Sequence, residues 1–257
     1  MLNFSSEYNE KVSIIMPTYN SKKTVLKSIE SILSQTYTNI EICITDDNSY
    51  DGTFDILKEI AKSDCRIKLF RNKYSRSASN ARNNSIKNAT GTYISFLDSD
   101  DTWYPRKLEL QIEAMKKNNC FASHSSYYRV DENGNNISLV KPREKVTYKD
   151  MLTHNHIGNL TGIYNAKILS KFYQKNIGHE DYEMWLRILS KTDSIAVLEP
   201  LASYTVSTES LSSNKFKAAK WHYNILRNEI GLNTLKSSFY FSHYIFNAIK
   251  TRTNKVS

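Results

Sequence analysis

The sequence predicts an α/β fold: a mixed, mainly parallel sheet flanked by helices, followed by a helical region at the C-terminal end. Three observations predict it. Short apolar runs alternate with amphipathic helical stretches through the first half of the chain. Two of those runs end directly in acidic clusters, Asp46-Asp47 and Asp98-Ser99-Asp100-Asp101. Glycine is scarce, seven in 257 residues, and neither GxGxxG nor GxxxxGK[ST] occurs. That disfavours a dinucleotide Rossmann site and a P-loop.

The elements follow in order. Val12 to Met16 is an apolar run closed by Pro17 and reads as a buried strand. Ser21 is the expected cap of a helix whose apolar residues, Val25, Leu26, Ile29, Ile32 and Leu33, keep helical spacing. Ile40, Ile42 and Ile44 alternate with Glu41 and Cys43 as a second strand. Asp51-Gly52 marks a turn before a helix carrying Phe54, Leu57, Ile60 and Ala61. Ile67 and Leu69 mark a third strand, and Tyr93 to Leu97 a fourth. Pro105 is expected to open a helix with Leu108, Ile112 and Met115 on one face. Beyond it the pattern is less regular, with a strand over Phe121 to Val130, a turn at Asn133-Gly134 and a helix over Glu183 to Leu189.

Composition narrows the setting. Hydrophobic residues make up 40 % and charged residues 24 %, enough for a real core. Cys43, Cys65 and Cys120 form no CxxC pair, so neither a disulfide framework nor a zinc knuckle is expected. No signal-like leader and no membrane-length apolar run is visible, so the expected location is cytoplasmic. The net charge of +9 is uneven: from Asn214 onward eight Lys or Arg face only Glu229, or +7, leaving +2 for the rest. A balanced body with a basic end points to an anionic surface rather than to nucleic acid, for which there is no recognition motif.

In a parallel sheet, ligands sit beyond the carboxyl ends of the strands. The second and fourth strands deliver both acidic clusters to that edge. Acids there are costly unless they hydrogen-bond or meet a cation. A DxD after a strand suits a hard divalent ion with oxygen ligands, Mg²⁺ or Mn²⁺, shared with phosphates. With 12 Asp in the chain the spacing alone is weak, and its position is what gives it weight. Without a glycine cradle, phosphates would also need cations, and Arg76 and Arg82 lie upstream of the DxD.

The blocks Val12-Ser-Ile-Ile-Met-Pro-Thr-Tyr-Asn20, Ser31-Ile-Leu-Ser-Gln-Thr-Tyr37, Asp46-Asp-Asn-Ser-Tyr-Asp-Gly-Thr53, Ala81-Arg-Asn83, Gly91 to Asp101 and His179-Glu-Asp-Tyr-Glu-Met-Trp-Leu-Arg187 together resemble the family 2 inverting glycosyltransferases of the GT-A fold. They keep the family's order over about residues 11 to 212, and the DxDD form is similar to bacterial O-antigen and capsule enzymes that extend a lipid-diphosphate-linked sugar. The resemblance implies a UDP-sugar donor, a glycan or lipid-linked acceptor, and inversion, so that an α-linked donor yields a β-linkage. It implies that Pro17 and Tyr19 line the uracil site, that Asp47 hydrogen-bonds the base and that Asp46 shapes the loop. Asp98, with Ser99 next to it, would face the ribose side, Asp100 would ligate the metal with Asp98 nearby, and Asp101 would support the metal or the donor sugar. Asp181 would be the catalytic base, with Glu180 beside it. The expected division is a catalytic body over 1–213, its nucleotide half about 11–101 and acceptor half about 102–213, and an extension over 214–257.

One departure concerns the metal. Where the family often has YRxHxxSLS, this chain has Tyr204-Thr-Val-Ser-Thr-Glu-Ser-Leu-Ser212, with Ser207 in place of the His. Water or Glu209 could fill that place. Several residues keep two readings. Arg82 holds the diphosphate or pairs with a local acid. Asp181 is the base or a helix N-terminal acid. Trp103 and Trp185 stack on sugar or pack the core, and His179 supports the site from behind or lies on the surface sooner than serving as a ligand. The aromatic and basic extension docks on anionic lipid, or its helices pack on the body or on a second copy of the chain.

Overall fold

Residues Val12–Thr18, VSIIMPT, form the central strand β1, buried along its whole length. A strand covered on both faces needs apolar and β-branched residues throughout rather than alternation. β1 pairs in parallel with β2 (Ile40–Asp46) on one side and β4 (Tyr93–Phe96) on the other, Val12 lying opposite both Ile40 and Tyr93. β3 (Ile67–Arg71) extends the parallel half beyond β2. The computed structural model describes residues 10–74, 77–206 and 215–253. Arg76, Ser207 and Glu209, and the 213/214 boundary, lie outside them.

Three helices make the crossovers of this half: α1 (Val25–Leu33), α2 (Thr53–Ser63) and α3 (Ala78–Asn88). One expectation needs correction here. The cap position of α1 is Thr24, not Ser21, which sits too far ahead of the first turn. Only the Ser21 carbonyl serves the helix, accepting the Thr24 and Val25 N–H groups, while its hydroxyl meets Tyr19 and Ser99. Helix α3 carries no apolar periodicity that sequence reading could catch. Its buried face is Ser79, Ala81, Arg82, Ser85 and Ile86, and Ser85 binds the Thr45 hydroxyl of β2 at 2.8 Å. A polar seam replaces the usual apolar stripe.

The second half completes the sheet. β5 (Thr102–Trp103) leads into α4 (Lys107–Lys117), which starts two residues after Pro105 with Arg106 at its cap. β6 (Ala122–Val130), β7 (Asn136–Val140) and β8 (Lys145–Val146) precede α5 (Tyr148–Thr153). β9 (Ile163–Asn165), α6 (Ala166–Leu169), α7 (Glu180–Leu189) and β10 (Ser194–Thr205) follow. Strand order is β3-β2-β1-β4-β9-β6-β10-β5, with β7 beside β6 and β8 beside β10. β9 runs antiparallel to both neighbours, which makes the sheet mixed. β10 shifts register on both sides of Pro200, a proline that breaks the strand signal in the sequence.

The two tryptophans belong to the core. Trp185 is fully buried and donates to Asn159 Oδ1 at 3.3 Å, with Phe96 and Tyr164 edge-on around it. A Cβ at Gly162 would lie 2.0 Å from its ring, so only glycine fits there. Trp103 is buried and donates to the Leu160 carbonyl at 2.8 Å. Neither offers a face to a sugar.

The C-terminal helices are α8 (Lys215–Asn224), a π-helical turn (Ile225–Glu229) and α9 (Thr234–Thr253). They pack on the body. His222 is stacked between Tyr182 of α7 and Tyr244 of α9, at 5.0 and 4.2 Å between centroids. Lys175 joins Glu229 at 2.6 Å and the buried Glu183 at 3.2 Å. The outer side of α9 leaves Leu235, Phe239 and Phe246 exposed at one helical face. Among the described residues, no helix is long and apolar enough to cross a membrane.

Candidate active site

The parallel half brings the ends of β1, β2 and β4 together, and the predicted residues gather there. Asp46, the last residue of β2, is fully buried. Its Oδ2 accepts the Ser49 N–H at 3.1 Å and lies 3.2 Å from Arg71 Nε. It shapes the loop from beneath and does not line the cavity. Asp47 is pinned by its own N–H to the Thr18 carbonyl at 2.8 Å, and its Oδ1 accepts from Asn72 Nδ2 at 2.8 Å.

A cavity of about 260 Å³ opens at this edge, lined by Pro17, Thr18, Tyr19 and Asp47 on one wall and by Ala81, Arg82 and Asp98 on the other. Tyr19 is partly exposed at its mouth, edge-on to Tyr50 at 6.2 Å. Pro17, Tyr19 and Asp47 therefore share one wall of the cavity. Ser99 does not line the cavity. It is buried against the Ser21 hydroxyl at 2.7 Å and ties the end of β4 to the loop after β1.

Arg82 is the hub. Its Nη2 donates to both Asp98 oxygens at 2.7 and 2.9 Å. Its Nη1 donates to Gln174 Oε1 at 3.2 Å and lies 3.6 Å from Glu180 Oε1. Asn83 clamps the Gln174 backbone from both sides, accepting its N–H and donating to its carbonyl, both at 2.7 Å. Asn72, Asn83 and Gln174 are site-building residues that residue patterns alone left out. Asn83 was visible only as part of the Ala-Arg-Asn block, and Gln174 carried no signal.

The three DxDD acids do not form one ligand set. Asp98 is taken up by Arg82. Asp101 is 2 % exposed and accepts the Thr205 N–H at 2.9 Å, so it faces β10 rather than the cavity. Asp100 is exposed, and apart from its own backbone N–H no described residue hydrogen-bonds its carboxylate. Partial desolvation in the cleft and then the Asp98 charge raise Asp100 above the usual carboxylate range. Burial, then Asp100 and Asp98, push Asp101 well above it. Among the described residues no three His, Cys, Asp or Glu gather as a metal cage. A hard cation shared with phosphates needs only one or two protein carboxylates. The open Asp100 carboxylate and this local excess of negative charge fit such an ion.

Asp181 lies in the first turn of α7, beside Glu180, and its Oδ2 is 3.4 Å from Asn155 Nδ2. His179 precedes them in a left-handed conformation, φ 50°, and its ring packs on Trp221. The strand-end acids Asp47 and Asp98 thus line one cavity together with Arg82, and Glu180 of the α7 block lies 3.6 Å from the Arg82 guanidinium. The family model for glycosyl transferase family 2 matches residues 13–186, which spans all of them.

The chain belongs to glycosyl transferase family 2. This glycosyltransferase is 40 % identical, over 93 % of its length and 94 % of the other's, to the Escherichia coli UDP-Glc:alpha-D-GlcNAc-diphosphoundecaprenol beta-1,3-glucosyltransferase WfgD. It is 35 % identical, over 94 % of its length and 97 % of the other's, to the putative teichuronic acid biosynthesis glycosyltransferase TuaG of Bacillus subtilis strain 168. Among solved structures, S. aureus TarS 1–349 in complex with UDP-GlcNAc superposes with a TM-score of 0.71 at 20 % identity, covering 91 % of this chain and 71 % of that one. The mannosyltransferase PcManGT from Pyrobaculum calidifontis, in complex with GDP-Man and Mn²⁺, gives 0.68 at 18 % identity, covering 92 % and 69 %. The glycosyltransferase therefore has the GT-A architecture expected of it, with a C-terminal helical region.

Proposed function

We propose that this glycosyltransferase moves glucose from UDP-glucose to a hydroxyl of a GlcNAc-diphosphopolyprenol acceptor, with inversion to a β-linkage, in bacterial surface polysaccharide synthesis. The observation that carries the reading is the cavity lined by Asp47 and the Arg82–Asp98 pair, with Glu180 of the Glu180-Asp181 turn 3.6 Å from the Arg82 guanidinium. The donor and acceptor follow the relatives that match nearly the whole chain.

The residues suit the chemistry. Pro17, Tyr19 and Asp47 receive the uracil. Arg82, fixed by Asp98, brings positive charge to the side where the diphosphate lies. Asp100 would hold a Mn²⁺ or Mg²⁺ ion, which when bound would supply further positive charge for the leaving group. Asp181 takes the proton of the attacking hydroxyl. The acceptor oxygen bonds to the anomeric carbon as the bond from that carbon to the phosphate oxygen breaks, and UDP leaves with the electron pair. One displacement inverts the centre.

The acceptor's lipid suggests where the enzyme works. The exposed Leu235, Phe239 and Phe246 of α9, with Lys236 and Lys149 beside them, suit peripheral contact with an anionic membrane surface. The cytoplasmic face of the bacterial membrane is the corresponding location.

The test is a panel of nucleotide sugars with purified protein, the polyprenyl-linked acceptor and Mn²⁺ or Mg²⁺, with and without EDTA. Metal-dependent UDP release from UDP-glucose together with a β-linked product is the expected result. Release from another sugar alone reassigns the donor, and absence of release with any donor overturns the reading.

A further inference from the structure

We propose that Trp221, in the C-terminal extension, is a positioning residue for the base-bearing end of α7. Its indole props the left-handed turn Gly178-His179 and so sets where Asp181 faces the acceptor. The inference rests on the reading of Asp181 as the base.

Helix α7 begins in an unusual way. The two residues before it are both left-handed, Gly178 at φ 69° and His179 at φ 50°. A histidine in this region is uncommon and is held there only by its surroundings. His179, at the cap position, offers no side-chain hydrogen bond to the first turn of the helix. Packing must define the turn instead, and the packing partner comes from α8. A Cβ added to Gly178 would lie 2.4 Å from indole Cε2, so the Gly178 backbone rests directly on the Trp221 ring. The His179 ring meets the same indole edge-on, 5.2 Å between centroids and 81° between planes. The ammonium of Lys217 covers the indole at 4.8 Å.

Asp181 itself has little else to place it. Its carboxylate receives one long hydrogen bond, from Asn155 at 3.4 Å. Its position therefore follows the backbone of the first turn of α7, two residues beyond His179. The body of α7 is held separately, by Tyr182 on His222 and by Glu183 on Lys175. Loss of Trp221 would loosen the turn while those contacts keep the helix docked. The family match ends at residue 186, so the prop is supplied from outside the matched region.

The experiment uses the full chain with the polyprenyl-linked acceptor and UDP-glucose. It measures kcat, acceptor KM and UDP affinity for Trp221→Ala, Trp221→Phe, Gly178→Ala and Asp181→Asn, with circular dichroism and Tm for each. The expected result for Trp221→Ala is a kcat loss of about 10- to 100-fold with UDP affinity within about twofold, since misplacement near 1 Å costs about that much. Trp221→Phe should recover most of it. Gly178→Ala, which drives a methyl into the indole, should reproduce the kcat loss, and it carries the test if Trp221→Ala does not fold. A wild-type kcat in both Trp221→Ala and Gly178→Ala, with Asp181→Asn inactive, overturns the proposal alone. So does a loss of UDP affinity that matches the loss of kcat. Near-normal transfer by Asp181→Asn overturns the base assignment and the proposal with it.

Discussion

Arg82 holds both carboxylate oxygens of Asp98 through a single nitrogen, Nη2, at 2.7 and 2.9 Å. Its other terminal nitrogen faces Gln174 and Glu180, so one nearly buried guanidinium joins the end of β4 to the start of α7. Arg82→Met should lower UDP affinity at least about tenfold and leave the acids around it uncompensated. The stability loss should be about 1–3 kcal/mol, below the full cost of a broken buried pair because Asp98 is partly open to water. Calorimetric UDP titration and urea denaturation check both.

Asp100 is the acid of the DxDD run that remains open to a cation. Asp100→Ala should abolish the gain in UDP affinity produced by Mn²⁺ while leaving the metal-free affinity nearly unchanged. UDP titration in Mn²⁺ and in EDTA reads the difference. An equal Mn²⁺ effect in the variant would remove Asp100 from the metal site.

Asp181→Asn should retain UDP binding within about twofold and lower transfer by two or more orders of magnitude, the usual scale for losing a general base. Glu180→Gln should instead weaken the Arg82 network and affect donor affinity first. Comparing kcat with UDP affinity for the two variants separates the roles. Near-normal turnover by Asp181→Asn would move the base elsewhere.

His222 provides a pH prediction. Burial, and then the neighbouring His154, push its imidazole down from the ordinary 6.5 to about 3. Below pH 6.5 the unfolded chain binds a proton there that the folded chain refuses, so stability falls as pH drops from about 6.5 toward about 3. The slope from this group is at most about 1.4 kcal/mol per pH unit. His124 and His156, each pushed to about 4 chiefly by burial, add in the same direction. His222→Phe keeps a ring between Tyr182 and Tyr244 and should flatten the acid side of a stability–pH curve measured by urea denaturation from pH 7.5 to 4.5. An unchanged curve would remove His222 from the acid response.

The exposed face of α9 should be what meets lipid. Leu235→Asp with Phe239→Asp should reduce binding to anionic vesicles at least about tenfold and leave UDP affinity unchanged, because neither side chain touches the cavity. Co-sedimentation with phosphatidylglycerol vesicles measures it. Equal binding would leave α9 as packing alone.

Much of the site was legible because parallel strands deliver their last residues to one edge. Asp47, Asp98 and Asp100 could be placed from an apolar run followed by acids, since that pattern reports both the strand and its end. Helix α3 was not legible. Its inner face is serine, alanine and arginine, and hydrogen bonds to β2 hold it where an apolar stripe would otherwise be needed. β10 was hidden by Pro200, which the strand absorbs with register shifts.

The sequence by itself determined the α/β class, the carboxyl edge of the parallel strands and the acids on it, because strand periodicity and motif order are local properties of the chain. Tertiary structure decided what each charge does. Asp98 is occupied by Arg82, Asp101 is turned onto Thr205, and Asp100 alone of the three stays open, although the three stand within four consecutive positions. The structure likewise settled that the C-terminal helices pack on the body and bring Trp221 to the turn before Asp181. Such outcomes depend on residues far apart in sequence competing for the same buried partners, and no local pattern records which of them wins.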